Sequence, residues 1–177
     1  TVIVLTDKTR GARGASAFIV EKGTPGFSFG KKERKMGIRA SATRELIFRN
    51  CLVPEENLLS KPGMGFILTL KLLDRSRPGI GAQAVGLAQG ALEAATDYAQ
   101  QRVQFGQHLI SLPVVQDMLA DMAIHVEAAR ALVYATARTI DSGARSFTEE
   151  SAMAKVFASD TAMKVTTDAV QICGGAG

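Results

Sequence analysis

The stretch Gly65-Phe-Ile-Leu-Thr-Leu-Lys-Leu-Leu-Asp-Arg-Ser-Arg-Pro78, which continues in Ala- and Gly-rich sequence to Gln101, decides the fold. Pro78 is expected either to start a new segment there or to kink one continuous helix. Residues 65–101 are therefore predicted to be helical, far beyond the globular mean of about 11–12 residues. The apolar stripe that indicates this helix comprises Leu68, Leu72, Ala84, Leu87, Ala88, Ala91 and Ala95.

Two further helices are predicted downstream. The first spans about Val114 to Ile140, with Gly143 as a stop. The second begins near Thr148, a plausible N-cap followed by two glutamates, and continues to about Gly174. Long amphipathic helices with short connections indicate an antiparallel bundle. Close approach to the first helix is expected at its small residues, Ala82, Ala84, Gly86, Ala88 and Gly90.

The first sixty residues have a different character, because glycines and short β-branched or aromatic runs replace the helical stripes. The predicted strands are Val2–Leu5, Ala15–Val20, a short run around Phe27 and Phe29, and a last strand made of 46–48 and 51–53 that Pro54 ends. The predicted fold class is α+β, with a β-domain over residues 1–58 and a helical bundle over 59–177.

Composition excludes several functional classes. Hydrophobic residues make up 46% of the chain and no apolar run approaches the roughly 20 residues of a membrane span. Cys51 and Cys173 match no metal spacing and are interpreted as reduced, buried thiols of an intracellular protein; with only two histidines, no metal site is expected. A net charge of +4 suits a polyanionic partner, either nucleic acid or the phosphates of a cofactor. The basic residues form no dense stripe, which disfavours nucleic acid.

Two arginine-bearing stretches are candidate ligand contacts. Asp74-Arg75-Ser76-Arg77-Pro78 places two arginines and a hydroxyl at an expected kink, which suits an anion or phosphate; a solvated helix face is the alternative. Arg102-Val-Gln-Phe-Gly106 follows the first helix. It is either a helix terminus or an arginine aimed at a phosphate beside an aromatic ring.

A third candidate is the run Gln171-Ile-Cys-Gly-Gly-Ala-Gly177. Adjacent glycines at a helix end allow close backbone approach to a ligand, although a glycine C-cap explains them equally well. The run does not join a strand to a helix and is therefore not a dinucleotide fingerprint. The polar turn Met36–Thr43 has turn chemistry as its default explanation. No carboxylate pair or serine triad is present, so the residues alone name no reaction.

Taken together, these stretches resemble the acyl-CoA dehydrogenase family over nearly the whole chain. They occur in family order, and the ordered set is more specific than any one of them. The resemblance includes Lys35-Met-Gly-Ile-Arg39-Ala-Ser41-Ala-Thr43, Gly63-Met-Gly65-Phe66, Leu73-Asp-Arg-Ser-Arg77, Ala82-Gln-Ala-Val-Gly86-Leu-Ala-Gln89, Arg102-Val-Gln-Phe-Gly106, Leu119-Ala-Asp-Met122 and the glycine-rich run.

The resemblance implies roles for individual residues. Those matching CoA-substrate contacts are Asp74, Arg75, Ser76 and Arg77, with Arg77 near the reacting carbons. Those matching FAD contacts are Arg102, Gln104, Phe105, Gln171, Ile172, Cys173, Gly174 and Gly175. In the family these FAD-contacting groups reach the flavin of a neighbouring subunit, usually within a homotetramer. A cytoplasmic location, or the mitochondrial matrix in a eukaryote, is expected.

The implied reaction is α,β-dehydrogenation of an acyl-CoA, with electrons passed to an electron-transfer flavoprotein. Pro113 replaces a glutamine that lies near the flavin in the family. The family's catalytic glutamate is expected beyond Gly177, or near Ser76 in some branches, so no catalytic residue is assigned and the chain is interpreted as a fragment. The alternatives are an acyl-CoA oxidase of the same fold, a basic DNA-binding relative and a non-catalytic scaffold.

Overall fold

The computed structural model describes all residues from Thr1 to Gly177, and these form two compact units, Thr1–Leu70 and Lys71–Gly177. Short strands dominate the first unit and long helices the second. The predicted α+β class is therefore confirmed. None of the helices is both long enough and apolar enough to cross a membrane.

Five short strands build two small sheets in the first unit. In one sheet, β2 (Ala15–Phe18) pairs antiparallel with β1 (Val2–Leu5) on one side and with β5 (Leu58–Leu59) on the other. In the other, β3 (Phe27–Lys32) pairs antiparallel with β4 (Arg44–Phe48). The polar turn predicted at 36–43 lies in the connection between β3 and β4.

The predicted extension of the last strand through Cys51–Val53 is wrong. Asn50 has a φ of +48°, in the left-handed region, so the chain turns there and does not continue the strand. Residues 51–54 have no regular structure, and pairing resumes at β5, which the sequence prediction missed. A two-residue strand presents too little alternation to be recognised from its pattern.

A buried hydroxyl cluster fixes the chain entering the first helix. Ser16 is 1% exposed, and its Oγ lies 2.7 Å from Thr6 Oγ1 and accepts a 2.9 Å hydrogen bond from the Gly63 amide. A Cβ on Gly65 would lie 2.6 Å from the carbonyl carbon of Ser16, so only glycine fits at this approach.

Three helices form the second unit, and their predicted existence is confirmed. They are α1 (Gly65–Gln101, which begins in the first unit), α2 (Pro113–Asp141) and α3 (Thr148–Cys173). Pro78 lies inside α1, which remains one helix of 37 residues. A short hairpin of β6 (Val103–Gln104) and β7 (Gln107–His108) connects α1 to α2.

Side-chain contacts establish the directions of the helices. Arg130 of α2 donates a 2.7 Å hydrogen bond to Gln89 of α1, and Val133 packs against Gly81, so α1 and α2 are antiparallel. Thr136 of α2 donates to the carbonyl of Glu150, near the start of α3, so α3 is antiparallel to α2 in turn. The predicted antiparallel bundle is confirmed.

The core of the bundle is rich in alanine on α1 and α3, with Met122 and Val126 as larger fillers from α2. The phase of the α1 stripe differs from the prediction, since Leu72 and Leu87 are 66% and 60% exposed. Of the five small residues expected at helix contacts, only Ala84 and Ala88 are buried. The size of a side chain does not show which face of a helix points inward. The predicted apolar stripe of α1 therefore included residues on the exposed face.

Candidate functional site

α1 ends at Gln101, and the segment that follows it is a β-hairpin, which the sequence did not predict. Gln104 pairs with Gln107, so Phe105 and Gly106 form a two-residue loop. Both have positive φ, +55° and +77°, as in a type I′ turn. Glycine is usual at such a position, but phenylalanine is not, and this atypical pair concealed the hairpin. The Phe105 side chain is 86% exposed at the tip.

The hairpin and the end of α3 line one cleft of about 500 Å³. We call this the Arg102 cleft. Six of the eight residues predicted to bind FAD meet here, although they come from stretches far apart in sequence; Phe105 and Gln171 do not line it. The lining consists of Tyr98, Arg102, Gln104, Leu109, Ile172, Cys173, Gly174, Gly175 and Ala176.

The Arg102 cleft is suited to an anionic group. No carboxylate lines it, and the Arg102 guanidinium takes part in no ion pair and no side-chain hydrogen bond. Gly174 has a φ of +58°, and a Cβ at Gly174 or Gly175 would meet nothing within 4 Å, so the backbone is open to a ligand. The last carbonyls of α3 add acceptors that suit hydroxyl or amino groups. Together these features provide one unpaired cation and an open glycine backbone in a single cleft.

A second cleft, of about 430 Å³, lies where α1 faces the segment that enters α3. We call it the Arg75 cleft. Two of the four predicted substrate contacts, Asp74 and Arg75, line it, whereas Ser76 and Arg77 do not. The full lining is Lys71, Asp74, Arg75, Ala144, Arg145, Ser146, Phe147 and Thr148. Three cations against one carboxylate make this cleft positive as well.

The one carboxylate of the Arg75 cleft is already engaged. Asp74 Oδ1 accepts a 3.0 Å hydrogen bond from Arg77, and Asp74 Oδ2 accepts one of 2.7 Å from Thr148. The predicted N-cap role of Thr148 is therefore wrong, since its hydroxyl bonds to α1 and the cap position is Phe147, without a side-chain cap bond. Ser76 Oγ lies 3.4 Å from its own helix carbonyl at Leu73.

An aromatic ring supports one cation of the Arg75 cleft. The guanidinium carbon of Arg75 lies 5.7 Å from the centroid of the Phe147 ring, within cation–π range. The sequence prediction missed Phe147, Arg145 and Lys71. Their only sequence signal is a basic and aromatic composition just before a helix start, which is too common to indicate a site.

The groups whose pKa values are shifted in the helical unit lie apart from both clefts, between α2 and α3. A hydrogen bond from Lys164 lowers the pKa of Asp121, and the bonds to Asp121 and Asp168 raise the pKa of Lys164. These groups fasten the two helices together. Cys173 and Cys51 are free and half-buried, less enclosed than predicted.

The helical part of the chain matches a known protein family. The model for "Acyl-CoA dehydrogenase, C-terminal domain" matches residues 63–177, which contain both clefts.

The chain belongs to the acyl-CoA dehydrogenase family.

Relatives agree with this assignment. The chain is 54% identical over 177 residues to "Probable acyl-CoA dehydrogenase FadE25" of Mycobacterium tuberculosis, covering 100% of the chain and 46% of that protein. The chain thus spans about half the length of the curated relatives it matches.

Solved structures agree too. Butyryl-CoA dehydrogenase from Megasphaera elsdenii superposes with a TM-score of 0.94 at 50% identity, over 98% of this chain and 45% of that one. A chain from a study of the electron transferring flavoprotein of Acidaminococcus fermentans superposes with a TM-score of 0.95 at 55% identity, over 98% and 46%.

The family has a known general activity. Acyl-CoA dehydrogenases are flavin-dependent oxidoreductases that act on CH–CH groups.

Proposed function

We propose that the protein containing this chain is an FAD-dependent dehydrogenase that introduces an α,β double bond into an acyl-CoA thioester. One observation carries the proposal: Arg102, Gln104 and the Gly174–Gly175 pair, separated by about seventy residues, line one carboxylate-free cleft. A helix terminus or a glycine cap alone would not require these elements to meet. We propose a β-domain over residues 1–58 and a helical domain over 59–177 as the functional division.

FAD is proposed to occupy the Arg102 cleft. Arg102 would bind its pyrophosphate, Gln104 would offer an amide, and the glycine backbone would approach the ribose or adenine closely. Phe105, at the exposed hairpin tip, would pack on a flavin ring, with Gln171 beside the glycines as a further contact. When bound, FAD would supply the acceptor for a hydride from the β carbon.

CoA is proposed to occupy the Arg75 cleft. Lys71, Arg75 and Arg145 would pair with its phosphates, and Phe147 holds the Arg75 guanidinium over its ring face. Asp74 is neutralised by Arg77 and therefore repels the phosphates less than a free carboxylate would. Ser76 and Arg77, the next two residues of α1 after Arg75, would face the pantetheine and acyl parts of the same substrate.

The two clefts lie near opposite ends of one helix, which supports a site shared between subunits. From Asp74 to Gln101, α1 is continuous, and at about 1.5 Å per residue this separates the clefts by about 40 Å. We propose that the Arg102 cleft and Phe105 serve the flavin of a neighbouring subunit, within a homotetramer. Oligomerisation would then be part of the active site.

No residue of this chain is proposed as the base that removes the α proton. Asp74 is held by Arg77 and Thr148, and neither Ser76 nor Arg77 is a plausible base at neutral pH. We propose that a glutamate outside these residues performs this step. Pro113 occupies the first turn of α2, where its missing N–H costs nothing, but it offers no side-chain donor to a flavin.

The electron acceptor is proposed to be an electron-transfer flavoprotein, and the location is proposed to be the cytoplasm, or the mitochondrial matrix in a eukaryote.

The experiment that tests the function uses the purified full-length protein. Bound flavin is expected to bleach when butyryl-CoA is added anaerobically, and to recolour only when the acceptor flavoprotein is supplied. Rapid oxygen consumption would show an oxidase instead. Flavin that does not bleach with any acyl-CoA would reject the proposal.

A further inference from the structure

Ser151 is a buried hydroxyl without a hydrogen-bond partner in the protein. The residue is 0% exposed and lies in the first turns of α3. Its Oγ is the one buried side-chain nitrogen or oxygen that lacks a partner, whereas the buried hydroxyls of Ser16 and Thr136 are bonded. Burying a hydroxyl without a partner costs free energy, so the exception requires an explanation.

Two contacts between α1 and α3 give the register of these helices on either side of Ser151. Thr148 Oγ1 donates to Asp74 Oδ2, and a Cβ on Gly81 would lie 3.2 Å from the carbonyl oxygen of Ala154. The first contact joins Asp74 to Thr148 and the second joins Gly81 to Ala154. Because the residue numbers rise along both helices from the first contact to the second, α1 and α3 run parallel here. Ser151 lies midway between the two α3 contacts.

The residue of α1 at that level is Pro78, four positions after Asp74 and three before Gly81. Proline has no N–H, so the main-chain carbonyl of Asp74 loses the donor that an α-helix supplies from four residues ahead. By this register, the Ser151 hydroxyl on α3 and the α1 carbonyl that lacks the Pro78 donor fall at about the same level of the two helices.

We propose that an internal water molecule bridges the Ser151 hydroxyl and the main-chain carbonyl of Asp74. One water can donate to both oxygens, and internal waters in proteins occupy such polar sites with two to four partners. Asp74 would then be held at three points, by Arg77 and Thr148 at its carboxylate and by the water at its carbonyl. Ser151 thereby becomes a positioning residue for Asp74 and Arg77, a role that rests on the proposed function.

Thermal unfolding of the full-length protein tests the water site without reference to activity. Ser151→Ala is expected to lower the Tm by about 2–6 °C, because the water loses an anchor and the Asp74 carbonyl loses its donor. Pro78→Ala restores the missing N–H. In a Pro78→Ala background, Ser151→Ala should therefore cost less than half as much. A Tm that stays the same or rises in Ser151→Ala would show that the hydroxyl has no partner, and would overturn the proposal.

A crystal structure and steady-state kinetics complete the test. Electron density for a water within about 3.2 Å of both Ser151 Oγ and the Asp74 carbonyl is expected, and an empty or apolar contact there would reject the site. Ser151→Ala should raise the KM for butyryl-CoA several-fold with kcat within about twofold, and Ser151→Thr, which keeps the hydroxyl, should restore it. An unchanged KM would reject the positioning role. Absence of all dehydrogenase activity would count against the proposed function alone, since the Tm comparison and the density would still decide the water site.

Discussion

Thr148 Oγ1 donates a 2.7 Å hydrogen bond to Asp74 Oδ2 and so ties the first residue of α3 to α1. The other oxygen of the same carboxylate accepts from Arg77 at 3.0 Å. Asp74 is thus held between two helices, in a cleft whose other charged residues are cations. Its orientation depends on contacts that no single helix could provide.

Thr148→Val removes this hydrogen bond while preserving side-chain shape. We expect the free energy of unfolding to fall by about 0.5–1.5 kcal/mol and the KM for an acyl-CoA to rise, because Asp74 and Arg77 lose a restraint. Thr148→Ser, which retains the hydroxyl, is the control and should stay near wild type. Chemical denaturation and steady-state kinetics measure the two effects. Equal behaviour of the two variants would show that the bond has no role.

Arg102→Gln tests the flavin cleft. Loss of a charge-assisted hydrogen bond to a phosphate is expected to weaken FAD binding by about 10- to 100-fold, measured by flavin fluorescence on removal and re-addition of FAD. Arg102→Lys should keep part of the affinity, because a point charge replaces a bidentate fork. Arg138→Gln, in the last turn of α2 and outside the cleft lining, is the matched control. Similar FAD affinity in Arg102→Gln and Arg138→Gln would contradict the assignment.

Phe105→Gly separates backbone strain from ligand contact. A φ of +55° is costly for phenylalanine and costs glycine little, so the FAD-free protein should be at least as stable as wild type, by up to about 1 kcal/mol. FAD affinity should nevertheless fall, because the aromatic ring is lost. Phe105→Ala keeps the strain and loses the ring, so it should match wild type in stability and Phe105→Gly in FAD affinity. If Phe105→Gly bound FAD as well as wild type, the ring would have no part in the site.

Gly81→Ala and Gly90→Ala should have opposite effects on stability. A Cβ at Gly81 would lie 3.1 Å from Val133 Cγ2 and 3.2 Å from the Ala154 carbonyl oxygen, so we expect a loss of about 1–3 kcal/mol. At Gly90, also within α1, a Cβ meets nothing within 4 Å, and alanine should add about 0.5–1 kcal/mol through helix propensity. Denaturant unfolding measures both. Equal destabilisation by the two changes would argue against the close approach at Gly81.

Asp121→Asn should destabilise the protein in a pH-dependent way. The pKa of Asp121 is lowered from 3.8 by the Lys164 hydrogen bond, so its stabilisation is present above pH 3.8 and is lost as the pH falls through the folded pKa. The pKa of Lys164 is raised from 10.5, so its contribution is present below pH 10.5 and is lost as the pH rises through the folded pKa. The Tm difference from wild type should therefore be constant near neutrality and shrink in strong acid. Asp117→Asn, on the same helix, is the control. A Tm difference between Asp121→Asn and wild type that does not change with pH would contradict a stabilising Asp121–Lys164 ion pair.

Local patterns predicted the helices of the bundle well, because helical periodicity depends on residues within a turn or two of each other. The three helices, the turn before β4 and the stretches with candidate ligand contacts were all visible in this way. The two-residue strands were not, since β5 exists only because Ala17 and Phe18 offer it a partner. The Phe105–Gly106 turn was likewise concealed by a residue that rarely adopts positive φ.

The sequence by itself determined that long helices form, where they begin and end, and to which family their ordered motifs belong. Only the tertiary structure decided that Arg102 meets Gly174, that Thr148 bonds to Asp74 and not to its own helix end, and that Leu87 faces outward. The physical reason is the sequence range of the interactions involved. Periodicity and caps arise from interactions within a few residues, whereas these contacts depend on the phase and packing of helices that lie some seventy residues apart.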